Sequence, residues 1–349
     1  MPFLRPPLSL GLAALVCAAP ASAQDGEARE PGTLDKAYEA LVGDGTDTLR
    51  VEQPLDDEPR PIDPTPKFRP TPGEWFFEGG AFAEQYGDLD PSQPDEFQVR
   101  RTGVSVTATR LGERGSAVGA AFNFEATNFQ FDDVTPIFPG AVEPVEDVFR
   151  GQLQAFWRGD QSGKYGFSAG GTIEAAGEAE AEFGDSITFQ AFGATSYRVD
   201  DDLQLTFGAL VRTALEDDVL AIPVFGVEWS IDDRNRLFTR GPTLQYEHQF
   251  DLGKKLYTNL AFQSREYRLD GQGPLPGAAF SDRELRLVGG VEFRPGLAEA
   301  VGAKDSFVQV YTGLVAFHQL TFFDDNENEL FELEQDGTFL LGARLRLVF

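Results

Sequence analysis

Cysteine, histidine and long apolar runs are scarce in this chain, and each scarcity removes a class of answer. Cysteine occurs once, at Cys17, so no disulfide framework holds the fold. Lipidation of Cys17 would need a small residue before it, and Val16 stands there. Histidine occurs twice, at His248 and His318, which leaves few ways to build general-base catalysis. Past the first twenty residues no apolar run approaches the length a membrane-crossing helix needs. Basic residues are also outnumbered. Lys and Arg total 29 against 57 Asp and Glu, and a formal charge of −28 excludes nucleic acid as a partner, because phosphate binding needs basic patches.

What is present begins with an address. Arg5 supplies a weak positive region, Leu8 to Ala19 form a short apolar core, and Ala21-Ser22-Ala23 is a small-x-small cleavage site. Residues 1–23 are thus expected to be a signal peptide, with Gln24 as the mature terminus. Residues 24–72 are rich in proline and acidic groups and poor in aromatics, the composition of a disordered periplasmic segment. One island interrupts it: Thr33 is placed to cap a short helix carrying Leu34, Ala37, Tyr38 and Leu41 on one face and ending at Gly43.

From Trp75 onward the pattern has a period of two. In Val118–Ala126, Val118, Ala120, Phe122 and Phe124 take one face while Asn123 and Glu125 take the other. Phe149–Trp157, Tyr165–Ala175, Ile187–Val199, Leu203–Leu215 and Leu285–Phe293 repeat the scheme. Successive side chains of a strand point to opposite faces, so these are strands with one apolar and one polar side. Most run about ten residues or longer, the length a tilted strand needs to cross hydrocarbon, and the polar face carries full charges in mid-strand. A wet lumen accommodates such charges; a secreted soluble all-β binding module with a charged outer face is the alternative. The fold expected is all-β: a transmembrane antiparallel up-and-down β-barrel over residues 73–349.

Short turns at 111–115, 159–163, 200–202 and 251–254 alternate with longer loops near 86–96, 131–147, 177–185, 269–283 and 324–336, as periplasmic turns and outer loops do. The alternation fails once, around Ile222–Ile231 and Arg236–Phe250, and the total comes to thirteen strands, where a single-chain barrel with both ends in the periplasm needs an even number. Trp75–Gln85 and Arg236–Phe250 are the weakest segments, the latter because Gly241-Pro242 interrupts it and proline cannot donate to a ladder. Twelve strands is the expectation, with fourteen next.

The last segment, Gly337–Phe349, places Phe339, Leu341, Ala343, Leu345, Leu347 and Phe349 on one face and Arg344 and Arg346 on the other. A final Phe with apolar residues at every second position before it resembles the terminal signal of bacterial outer-membrane β-barrel proteins. That resemblance implies Phe339, Leu341, Leu345, Leu347 and Phe349 as the assembly signal, the barrel-assembly machinery as a partner, outer-membrane lipid and lipopolysaccharide as surroundings, and a porin-like role. A second likeness covers residues 221–349. Ala221-Ile222-Pro223-Val224-Phe225-Gly226-Val227-Glu228-Trp229 and the run from Asp282 to Phe293 look like outer-membrane barrel families without an assigned activity.

No cofactor is expected. Lipid-hydrolysing barrels use a Ser-His pair, but neither His248, beside Tyr246 and Phe250, nor His318, beside Ala316 and Leu320, has a same-strand serine two residues away. Both histidines fit an interfacial belt better. A membrane lipid hydrolase survives only as the alternative to a non-enzymatic barrel. Asp324, Asn326, Asn328 and Glu329 offer alternating oxygen ligands for calcium, yet the glycine and final glutamate of a calcium loop are absent, so a hydrated acidic outer loop is the plainer reading. The expected lumen carries both signs of charge: Glu125, Arg150, Arg158, Arg212, Glu228, Glu292, Arg344 and Arg346. In a narrow barrel these groups pair and close the interior; in a wider one they line an ion or small-solute channel.

Overall fold

The computed structural model describes residues 71–349 apart from short stretches at 88–96, 132–143, 216–218, 252, 271–273, 296–300, 325–327 and 336. The signal peptide, the Pro-rich segment and the 33–43 helix all lie outside the described residues. The strands are β1 (Trp75–Gly87), β2 (Phe97–Leu111), β3 (Ala117–Phe131), β4 (Asp147–Arg158), β5 (Tyr165–Glu178), β6 (Ile187–Arg198), β7 (Leu203–Arg212) and β8 (Leu220–Ser230). They continue as β9 (Asn235–Arg240), β10 (Thr243–Asp251), β11 (Lys254–Arg268), β12 (Ala279–Phe293), β13 (Asp305–Phe323), β14 (Glu329–Gln335) and β15 (Thr338–Val348).

Each strand from β1 to β13 pairs antiparallel with its sequence neighbour, and β15 closes the circle by pairing with both β13 and β1. Closure leaves no free edge at the ends of the sheet, which is what a sheet in hydrocarbon requires. β14 and β15 lie end to end along β13, opposite His318–Phe323 and Asp305–Val315 respectively. They form one wall strand broken at Gly337, whose φ of 71° is open to glycine at little cost. The fifteen segments therefore make a fourteen-stranded barrel.

Twelve strands is thus corrected to fourteen. Trp75–Gln85 is a full wall strand, and Arg236–Phe250 is two strands. Gly241-Pro242 is the two-residue turn between them, with Arg240 opposite Thr243. Gly241 has φ 52°, and glycine first in a two-residue hairpin loop is the type II′ pattern. The loops at 269–283 and 324–336 also yield strand: β12 begins at Ala279, and β14 lies inside the second.

Alternation sorts the side chains as the sequence implies. Val104, Val106, Phe122, Leu153, Phe189, Phe207, Leu314 and Leu341 lie exposed on the outer face, the apolar band of a transmembrane barrel. Among the described residues no helix is long and apolar enough to cross a membrane. The buried core sits inside the tube, toward the outer-loop end, where Phe97, Val99, Phe129, Tyr267, Phe280, Leu320 and Phe322 are all but inaccessible.

Candidate functional site

Directly beneath that aromatic layer the lumen is crossed by a buried ion cluster. Inward positions of five strands supply it: Glu84 from β1, Arg101 from β2, Glu125 from β3, Arg265 from β11, and Asp282, Glu284 and Arg286 from β12. Arg101 bonds Glu284 at 2.7 Å and Asp282 at 2.5 Å. Arg265 meets Glu284 at 2.7 Å and Glu125 at 3.0 Å. Arg286 spans Glu84, through bonds of 3.1 and 2.8 Å, and Glu284 at 2.6 Å. Three guanidinium groups thus face four carboxylates. The fork of an Arg suits such shared, bidentate contact better than the point charge of a Lys.

Aromatics complete the seal. The Tyr86 ring lies 5.1 Å from the guanidinium carbons of both Arg101 and Arg286, and the Tyr311 hydroxyl donates to Glu84 at 3.2 Å. Above the ions, Tyr267 stacks on Phe280, Phe280 on Phe322, and Phe322 on Phe331, with centroids 5.0, 5.2 and 4.4 Å apart. Burying this many charges away from water is tolerable only because each has partners. Arg101, Asp282 and Glu284 have fully buried side chains.

His318 belongs to this cluster and not to an interfacial belt. Its Nε2 lies 2.8 Å from Asp282 Oδ1, and the ring is wholly buried between Tyr86 and Phe97. The reason is a bulge: Leu285 opposes Phe317 and Arg286 opposes Val315, leaving Ala316 as an extra residue on β13. One inserted residue reverses which face each later side chain takes. His318 therefore lies inside with Tyr311 and Val315, although unbroken alternation from them would turn it outward, and Ala316 is exposed. His248 differs. It sits part-buried at the foot of β10, with Nδ1 2.7 Å from Asn235 Oδ1 and its ring against Phe250. Among the described residues no serine or threonine hydroxyl hydrogen-bonds either ring, so neither assembles the nucleophile-base pair a hydrolase needs.

The expected lumen residues share the inner face, but at different heights and with different partners. Glu125 lies in the cluster. Arg150 pairs with Glu174 at 2.8 Å. Arg212 reaches Glu266 of β11 at 2.7 Å, Glu228 pairs with Arg236, and Glu292 accepts from Gln309 at 2.8 Å. Arg158 lies on the same face as Arg150, near the periplasmic end of β4. Arg344 and Arg346 border a cavity just beneath the cluster, together with Glu78, Asn123, Glu125, Arg150 and Gln152. Of the residues expected to form an assembly signal, Phe339, Leu341 and Phe349 are exposed on the outer wall, with Leu345 and Leu347 half-buried beside them.

Of the calcium candidates, Asn326 lies outside the described residues. Asp324 accepts from the Asn328 backbone at 2.9 Å and from its side-chain amide at 3.2 Å, and Glu329 opens β14. No group of three or more His, Cys, Asp or Glu poised to hold a metal occurs among the described residues.

The cluster is what sequence reasoning missed. Glu84, Arg101, Arg265 and Asp282 come from strands distant in sequence; Arg101 lies 181 positions from Asp282. The one local signal was the dense charge alternation in Asp282-Arg283-Glu284-Leu285-Arg286.

No protein-family model and no curated protein matches the chain. Three of the solved structures similar to it illustrate the likeness. The TodX monoaromatic hydrocarbon channel, as a deltaS2 mutant, is 7% identical over 80% of this chain and 90% of its own, with a TM-score of 0.43. The KdgM porin is 8% identical over 76% and 97%, TM-score 0.28. The translocator domain of the autotransporter NalP from Neisseria meningitidis is 10% identical over 79% and 88%, TM-score 0.31. The likeness goes no further than barrel architecture.

Proposed function

We propose that this chain is a non-enzymatic small-solute channel of the bacterial outer membrane, held closed at its outer end by the ion cluster around Arg101. The observation that carries the reading is the division of the lumen. Its outer half is filled by paired charges and stacked aromatics, whereas directly beneath them lies a cavity bordered by groups of both signs, from Glu125 down to Glu78, Arg344 and Arg346. A barrel serving only as a wall has no need of a one-ended seal. Residues 1–23 serve as the export signal and residues 24–72 as a periplasmic tether. The strand ending at Phe349 is read by the assembly machinery, and lipopolysaccharide surrounds the acidic outer loops.

Planar-bilayer recording tests the reading. The unaltered protein is expected to be nearly silent. Neutralising one ion of each sign together, in R101Q/E284Q, keeps the balance of charge while loosening the seal, and discrete conductance steps should appear. Silence of both proteins, with the heat-shifted gel mobility of a folded barrel retained, would overturn it.

A further inference from the structure

Five neighbouring strands, β15, β1, β2, β3 and β4 in order round the barrel, shape the wall just beneath the cluster. One row of their inward residues runs Arg346, Gly80, Ser105, Asn123 and Gln152, each registered against the next. The row above it runs Arg344, Phe82, Gly103, Glu125 and Arg150 in the same way. Small residues make space in the middle. Gly80 stands against Ser105, and a Cβ on it would come within 2.6 Å of the Ser105 oxygen. The cavity bordered by these rows has a volume of about 60 Å³. A water needs about 10–15 Å³ of such space, so the recess holds roughly four to six water-sized groups.

Its lining is net positive. Three Arg (Arg150, Arg344 and Arg346) and two Glu (Glu78 and Glu125) contribute, a formal surplus of one positive charge. Glu125 is held by Arg265 at 3.0 Å and Arg150 by Glu174 at 2.8 Å, and neither partner borders the cavity.

Two amides beside these charges are unmatched. Asn123 Nδ2 and Gln152 Oε1 are buried and have no hydrogen-bond partner among the described residues. Gln152 is only 3% exposed, and its Nε2 donates to Glu174 at 2.6 Å. That bond fixes the amide and leaves its oxygen to the cavity it lines. One donor and one acceptor thus stand side by side, on residues registered opposite each other. Buried polar groups left unsatisfied are costly, and a single hydroxyl satisfies both, accepting from Asn123 and donating to Gln152. An ammonium cannot, because it has only protons to give and would meet the Asn123 N–H as a second donor. A carboxylate suits Arg344 and Arg346, through the forked contact that guanidinium groups make with it.

We infer that this recess binds a small hydroxycarboxylate of the glycolate or lactate class, its carboxylate on Arg344 and Arg346 and its hydroxyl between Asn123 and Gln152. This rests on the reading of the barrel as a small-solute channel and names the solute. Size sets the limit. With about five or six non-hydrogen atoms these acids match the room for water-sized groups, whereas a sugar acid exceeds it.

The test compares ligands that differ by one group, by NMR titration of the full chain in detergent micelles. Glycolate should saturate the protein at roughly tenfold lower concentration than acetate, which lacks the hydroxyl that satisfies both amides. Glycine, with ammonium in place of the hydroxyl, and ethylene glycol, with no carboxylate, should also bind more weakly than glycolate. Asn123→Leu should bring glycolate down to the level of acetate and leave acetate unchanged; a general disturbance of the wall would weaken both. Should that variant lose the heat-shifted gel mobility of a folded barrel, Gln152→Met removes the acceptor and carries the same expectation. Arg344→Gln should weaken both acids alike. Absence of saturable binding, equal binding of glycolate and acetate, or a preference that survives both Asn123→Leu and Gln152→Met overturns the site. Hydroxyl-dependent binding with R101Q/E284Q silent in the bilayer removes the channel and leaves the site standing. Conductance steps without binding remove the site and leave the channel.

Discussion

Two arcs of the same wall solve opposite problems. Along β1–β3 and β11–β13, beneath the aromatic layer, the inward residues include charges bound so closely that Arg101, Asp282 and Glu284 see no water. Along β6–β8, at similar height, they are Phe192, Leu210, Ile222 and Val224. The first arc pairs through long ladders, fifteen registered pairs between β11 and β12 alone; the second ends at a strand edge. Charge demands many fixed partners and a rigid frame, because an ion left alone in a low-dielectric interior is costly. Apolar packing is non-directional and tolerates an interface that parts and closes again. Rigidity and mobility are thus allotted to different arcs by side-chain chemistry.

The largest effect should follow from breaking the first arc. Arg101→Met removes one of three cations facing four carboxylates and leaves Asp282 and Glu284 short of a partner. Removing one member of a buried pair costs about 3–5 kcal/mol. Denaturant unfolding in detergent micelles, followed by the fluorescence of Trp75, Trp157 and Trp229, should show a loss of that size.

The same operation on the second arc should cost less. Glu266→Gln keeps an acceptor for the Leu215 amide but removes the ion pair with Arg212, whose side chain is 3% exposed. Hydrogen bonds to charged groups contribute about 1.5–3 kcal/mol, so the loss should stay below that of Arg101→Met. A larger loss at Glu266 would mean that the Arg212–Glu266 pair, and not the cluster, is the more rigid element.

What was legible in the sequence and what was not follows from range. Period-two alternation is local, so Val118–Ala126 or Gly337–Phe349 declares its two faces without help from other strands. The wet, charged lumen face was legible in the same way, down to Glu125, Arg150 and Arg344. Which charges meet depends on register across the tube, and no local signal relates Arg101 to Asp282. The bulge at Ala316 misled the alternation argument at its one critical residue, sending His318 into the cluster. Gly241-Pro242 was noticed but weighed as damage to one strand, when glycine before proline also makes a hairpin turn. Taken as one strand, Arg236–Phe250 makes the count an odd thirteen, and twelve lies as near to it as the fourteen the wall contains.

Gly241 offers a third measurement. Its φ of 52° lies in the left-handed region, where a side chain costs roughly 1–2 kcal/mol. Gly241→Ala should lower stability by about that much, with the charge cluster untouched. Pro242→Ala should cost less, about 0.4–1 kcal/mol, chiefly by freeing the unfolded chain.

The smallest effect is expected at the periplasmic rim, outside both arcs. Asp232 closes the turn from β8 to β9 by accepting from the Asn235 side chain at 2.6 Å and from the Arg234 and Asn235 backbones at 2.8 Å each. The Asn235 amide, followed by these backbone donors, holds the Asp232 carboxyl below its usual range. Donors that favour the ionised form stabilise the folded protein wherever the unfolded chain would also be ionised. The contribution is therefore present above the ordinary carboxyl pKa of about 4 and fades as pH falls through the lower folded value. Asp232→Asn removes that dependence. Unfolding midpoints of the two proteins should differ slightly at neutral pH and converge in acid, and a gap that widened in acid would show that Asp232 is not held ionised by its turn.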